Sequence, residues 1–166
     1  MAEGNIVMKI RIIGSAFIAL VGLTGVLFGQ VQKPKTPKFD AKLAKKLGAD
    51  ERGMKMFVLC ILKTGPKDGD FKGKERDEIF AGHFANITKL ADKGKLAVAG
   101  PFEKNDRNYR GLYIFNVATI EEAEQLVVMD PAVKAGVFLP ELTLWYGSAA
   151  MMTVAETHKK LQKPKK

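Results

Sequence analysis

Two short stretches of this chain carry large apolar side chains at odd and even positions alike. In Met56–Leu62, Phe57, Leu59 and Ile61 alternate with Val58, Cys60 and Leu62; in Gly111–Val117, Leu112 and Ile114 alternate with Tyr113 and Phe115. Successive side chains of a strand point to opposite faces, so strands of this kind must be covered on both sides. Runs this short suit strands better than helices. The fold must therefore place a sheet between two layers.

The segments around them supply the rest of the architecture. A Gly/Pro/Asp-rich loop runs from Gly65 to Asp70. Ile79, Phe80, Phe84, Ile87, Leu90 and Ala91 then recur as a helical stripe, with Glu75, Asp77 and Glu78 suited to the first turn and Gly94 to the C-cap. Leu96–Ala99 reads as a second strand, ended by Gly100-Pro101, and Gly111–Val117 as a third. Thr119 and Glu122 form a capping box opening a second helix, whose apolar face is Ala123, Leu126 and Val127. Asp130-Pro131 ends it, and Val137–Tyr146 is a fourth strand in which Pro140 marks a bulge or an edge. The order β-α-β-β-α-β is the split βαβ arrangement, an α+β fold of ferredoxin-like type.

Two helices cover only one face of such a sheet. The other would expose more than the roughly few hundred Å² of contiguous apolar surface that a monomer tolerates. A second copy stacked there by a two-fold contact would bury it, so a homodimer is expected.

The formal charge of +9 suggests nucleic acid or membrane as a partner, but its distribution argues otherwise. From Gly53 to Met152 there are 13 Lys+Arg and 13 Asp+Glu. The excess lies in the flanks: Lys33, Lys35, Lys38, Lys42, Lys45 and Lys46 before, and Lys159, Lys160, Lys163, Lys165 and Lys166 after. Basic tails on a neutral domain read as solvated segments. No recognition helix, zinc finger or basic patch interleaved with aromatics lies between them, so no nucleic-acid partner is expected.

The N-terminal residues read as an address. Lys9 and Arg11 precede an unbroken apolar run of 17 residues, Ile12–Phe28. A basic opening followed by such a run is the pattern of a secretory signal, with cleavage placed between Gly29 and Gln30. Export to a bacterial periplasm or the extracellular space is expected. The run is also long enough to stay as an uncleaved anchor, and only then is membrane contact expected. The resulting organisation is a signal or anchor at 1–29, a basic Pro/Lys linker at 30–53, the folded domain at 54–148 and a basic extension at 149–166. Within the linker, Phe39–Leu47 suits a short surface helix. In the extension Met151, Val154, Ala155, His158 and Leu161 have helical spacing and predict a weakly docked amphipathic helix.

Two polar residues stand where the helices call for apolar ones. His83 lies four residues after Ile79 and four before Ile87, and so points inward. Asp130 follows Leu126 by four and Val127 by three, on the sheet-facing side of the second helix, where a carboxylate opposes the helix dipole. Each alone has a structural explanation, a satisfied core histidine or a local cap. Together, on helices lying side by side, they form a candidate site: a carboxylate beside an imidazole fixes its tautomer and strengthens it as a base. Arg76, near the same helix face, is either a contact for an anionic ligand or a solvated side chain. Trp145-Tyr146 either walls a pocket or serves packing.

Other chemistries lack their residues. Gly69–Lys74 has the wrong spacing for a phosphate loop, and Ser148 is the only serine past the apolar run. Cys60 is the single cysteine, and His83 and His158 the only histidines, so no metal site and no cofactor is expected.

Taken in order, Gly-His-Phe at 82–84, Gly-Lys-Leu-Ala-Val-Ala-Gly-Pro at 94–101, Arg-Gly-Leu-Tyr-Ile-Phe at 110–115, Glu-Glu-Ala at 121–123 and Asp-Pro-Ala-Val-Lys-Ala-Gly at 130–136 resemble the YCII-related family. The resemblance covers about Met56 to Tyr146 and implies a ferredoxin-like fold and a dimeric α/β barrel. It also implies a cleft lined by the helix His and the Asp of the Asp-Pro step, here His83 and Asp130, with Gly100-Pro101 at its edge. Some members resemble small-molecule lyases acting on chlorinated aromatics, and a phosphohistidine has been suggested for the His. The apolar N-terminal run, the lysine-rich linker and the C-terminal extension depart from the usual pattern. The expected function is that of a small-molecule lyase or isomerase without cofactor; the alternative is a non-catalytic ligand-binding or accessory envelope module.

Overall fold

The computed structural model describes residues 37–163, of which residues 38–163 form one compact unit. The expected signal or anchor and the linker as far as residue 36 lie outside the described residues. Among the described residues, no helix is long and apolar enough to cross a membrane.

A short surface helix α1 (Ala41–Leu47) opens the unit, capped by Asp40 and closed by Gly48 in the left-handed region, with no side chain buried. Strand β1 (Met54–Thr64) follows, then helix α2 (Gly73–Asp92), β2 (Leu96–Pro101) and β3 (Tyr109–Phe115). Helix α3 (Ile120–Val127) and a single turn α4 (Pro131–Lys134) lead to β4 (Phe138–Ser148). A 3-10 turn, Ala149–Thr153, and helix α5 (Val154–Leu161) complete it. The strands lie in the order β2-β3-β1-β4, every neighbouring pair antiparallel. This is an α+β fold with the ferredoxin-like βαββαβ connection.

The two-faced strands are buried as their sequence requires. Val58, Cys60 and Leu62 of β1 join Tyr113 and Phe115 of β3 under α2 and α3, where Leu90, Ala123 and Val127 close the main core. On the opposite face Phe57, Ala97 and Ile114 form a second cluster. Part of that cluster is covered from within the chain. Met151 and Met152 of the 3-10 turn pack on it, and Ala149 is buried beside them. The C-terminal segment thus docks more firmly than its helical spacing predicts, through the turn before α5 rather than through α5, which buries no residue. Leu59, Ile61 and Leu112 remain half-buried on the same face, and Leu139 is exposed.

Other expectations are refined. Pro140 sits on an edge strand, paired with Leu62 in an unbroken β1–β4 register, so it marks an edge and no bulge. Phe84, expected in the inward stripe of α2, is 61% exposed.

Candidate functional site

His83 is placed by α2, whose inward residues Ile79, Phe80, Ile87 and Leu90 pack on the sheet. Gly82 beside it has no side chain for a reason: a Cβ there would lie 2.9 Å from Cγ of Pro131. The bare backbone lets α4 approach α2, and that approach brings Asp130 to the histidine.

Asp130 reaches its position differently from the sequence expectation. A proline disfavours helical backbone in the residue before it. Asp130 accordingly leaves the helical region (φ −67°, ψ 124°) after α3 has ended at Val127, and becomes the N-cap of α4. Its Oδ1 accepts from the Ala132 N–H at 2.9 Å. The carboxylate therefore sits at a favourable helix start, not at an unfavourable helix end.

The two side chains meet. His83 Nδ1 lies 3.0 Å from Asp130 Oδ1 and 2.9 Å from Oδ2, with the histidine 7% exposed and the aspartate fully buried. A third group joins them from β3. The Tyr113 hydroxyl donates to Asp130 Oδ2 at 2.9 Å and stands 3.2 Å from His83 Nδ1. Burial by itself would raise the Asp130 carboxyl, but the His83 hydrogen bond and charge, the Tyr113 hydroxyl and the Ala132 N–H outweigh it and hold the group below the ordinary carboxylate range. For Tyr113 the balance runs the other way: burial first, then the neighbouring Asp130 charge, push its hydroxyl well above the usual tyrosine value. Tyr113 stays protonated and serves as a donor.

An ionised carboxylate only accepts hydrogen bonds, so the proton of a neutral His83 is assigned to Nδ1. Nε2 then carries the lone pair. It has no hydrogen-bond partner among the described residues, and it does not belong with the fully enclosed unpartnered atoms. Around the ring stand Phe138, Phe84 and Phe80, at centroid distances of 5.2, 5.3 and 6.0 Å. The arrangement is a basic nitrogen in an aromatic enclosure, backed by a buried negative charge.

The other nominated residues make no hydrogen bond to the pair among the described residues. Arg76 is held by Asp68: it donates to Asp68 Oδ1 at 2.8 Å and to the Asp68 carbonyl at 2.7 Å. Gly100 and Pro101 lie at the C-terminal end of edge strand β2, exposed, opposite Leu112 and Gly111. Trp145 packs on Phe57 of the second cluster, and Tyr146 donates to Asp50, so neither walls the His83 site. Tyr113 was missed. A tyrosine on the buried side of a strand needs a partner for its hydroxyl, and that requirement was the available signal.

The model of the YCII-related domain matches residues 56–142, just over half of the chain. No curated protein matches it. Among solved structures it is similar to 5-chloro-2-hydroxyhydroquinone dehydrochlorinase from Burkholderia phenoliruptrix in complex with 2,5-dihydroxybenzoquinone, at 24% identity and a TM-score of 0.37, over 54% of this chain and 90% of that one. With its extent of match and its order of elements, the chain belongs to the YCII-related family.

Proposed function

We propose that the domain is a cofactor-independent small-molecule enzyme of lyase or isomerase type, in which His83 transfers the proton and Asp130 positions it. The observation that supports this reading is the asymmetry of the imidazole: Nδ1 is held by a buried carboxylate while Nε2 has no partner among the described residues. In the forward step Nε2 takes a proton from an acidic carbon or hydroxyl of the substrate. The electron pair left behind expels a leaving group, giving a lyase, or is reprotonated elsewhere by the imidazolium, giving an isomerase. Asp130 stabilises the transient positive charge, and Tyr113 holds Asp130 in place.

The test has a structural and a chemical arm. Long-range ¹⁵N–¹H spectra at neutral pH should show His83 as the Nδ1–H tautomer, and Asp130→Asn should lose that preference. A panel of chlorinated aromatics and small carbon acids is then followed for halide release or for deuterium exchange from solvent. His83→Gln should lower any turnover by about 10²–10⁴-fold, the usual range for losing a general acid–base. Asp130→Asn should lower kcat more than it raises KM. Saturable binding without turnover across that panel would favour the non-catalytic ligand-binding alternative. A His83 that keeps its tautomer without Asp130 would remove the basis of the enzyme reading.

We further propose that the protein is exported. Lys9, Arg11 and the apolar run Ile12–Phe28 support this. Mass spectrometry of the protein from fractionated cells should find it outside the cytoplasm, beginning near Gln30 if the segment is a cleaved signal. An intact N-terminus in the membrane fraction would favour an anchor, and an intact one in the cytoplasm would exclude export.

A further inference from the structure

Two arginines stand at the margin of the aromatic enclosure around His83, and the proton transfer uses neither. Arg76 of α2 lies over the Phe80 ring, 5.0 Å from its centroid, and Arg110 of β3 lies over Phe138 at 5.6 Å. Those two rings are among the three that stand edge-on to the imidazole, so each guanidinium is one ring removed from His83.

Both arginines converge on Asp68, which takes Arg76 on Oδ1 at 2.8 Å and Arg110 on Oδ2 at 3.0 Å. The loop carrying Asp68 is itself pinned: Gly65 and Lys67 donate their N–H groups to Val137 and Gly136 carbonyls at 2.8 and 3.0 Å. Burial opposes ionisation of Asp68, but the two guanidiniums hold it below the ordinary carboxylate range, so it keeps its charge. One carboxylate facing two guanidiniums leaves a surplus positive charge. A staple between loop and helix needs only one arginine. The side chains of Arg76 and Arg110 keep 28% and 34% exposure, and most of their five N–H donors each are not spent on Asp68. Asp68, with one oxygen on each arginine, shows which anion geometry the pair accepts: a planar, two-oxygen carboxylate.

We infer that Arg76 and Arg110 form a subsite for the carboxylate of a small substrate, whose apolar body lies among Phe80 and Phe138 toward His83. This rests on the proton-transfer reading and deepens it by naming the substrate class. Asp68 orients the two forks, and the unspent N–H groups receive the ligand.

Benzoate is the probe and benzamide its neutral counterpart, both titrated into the full chain and followed by NMR at His83 and at the arginine Nε–H groups. Benzoate should shift both sets of signals saturably, with benzamide at least about tenfold weaker. Arg110→Gln and Arg76→Gln should each weaken benzoate by about tenfold or more, as expected for loss of a charge-assisted hydrogen bond, and Arg110→Lys should restore only part of it. The wild-type comparison of the two probes needs no variant and stands if a variant misfolds. Equal binding of benzamide, absence of saturation, indifference to both arginine changes, or equal displacement of benzoate by inorganic phosphate would each overturn the carboxylate subsite. The His83 tautomer in Asp130→Asn is read in the same spectra without any probe. Failure of the proton-transfer reading is therefore separable from failure of the subsite.

Discussion

Asp130 is fully buried and yet ionised, because three donors converge on its two oxygens. The sign of its pH linkage follows. A carboxyl depressed in the folded state contributes stability above the unfolded value, about 3.9 for Asp, and that contribution is lost as the pH falls through the folded value. Urea unfolding measured from pH 7 downward should show a declining acid limb that flattens in Asp130→Asn. Tyr113→Phe removes one of the three donors without removing the charge. It should cost about 1–3 kcal/mol and shrink the acid decline, which still begins near the unfolded value but levels off at higher pH, since the carboxyl is then less depressed. An acid decline of unchanged size and end point would mean that Tyr113 contributes packing only. At this scale His83 and Asp130 were legible because each broke an apolar helical stripe. Tyr113 was not, because a tyrosine breaks no apolar pattern. Arg110 and Asp68 were not, because they lie 42 residues apart and only folding brings them together.

Among the elements, the contact between α2 and α4 decides whether the site exists. Gly82 lies inside α2, where replacing glycine by alanine ordinarily stabilises a helix by about 1 kcal/mol. Here a Cβ would press on the Pro131 ring at 2.9 Å. Gly82→Ala should therefore be destabilising by about 1–3 kcal/mol, the usual cost of overpacking, and should displace Asp130 from His83. Chemical denaturation gives the sign, and the His83 ring signals report the displacement. A stabilised variant with an unmoved histidine would show that the helices have room to spare. The sequence placed the elements closely, because turn residues, capping pairs and apolar periodicity are local signals. It misjudged Phe84, which fits the apolar stripe of α2 by spacing but lies 61% exposed. It also assigned Asp130 to the end of one helix when Pro131 makes it the cap of the next.

For the whole molecule, the question is what covers the second face of the sheet. Met151 and Met152 cover the part over Phe57, Ala97 and Ile114. Deleting Ala149–Lys166 should lower stability by about 2 kcal/mol or more, since a fully buried Met side chain contributes about 1.5–3 kcal/mol and these two are half-buried. We propose that a second copy covers the remainder, where Leu59, Ile61, Leu112 and Leu139 lie. Sedimentation velocity should then find a dimer that Ile61→Glu dissociates; a wild-type monomer would show that the C-terminal turn suffices. The sequence by itself determined the order of the four strands and of the two helices that cover them, the need for cover on both sheet faces, and the two residues, His83 and Asp130, that nominate the candidate site. These follow from side-chain periodicity and backbone stereochemistry, which act over a few residues. Only the tertiary structure decided that Tyr113 completes the pair and that Arg76 is claimed by Asp68. It alone brought the C-terminal turn onto the open face. Each of these depends on how closely one element can approach another, and that distance is set by side chains far apart in the chain.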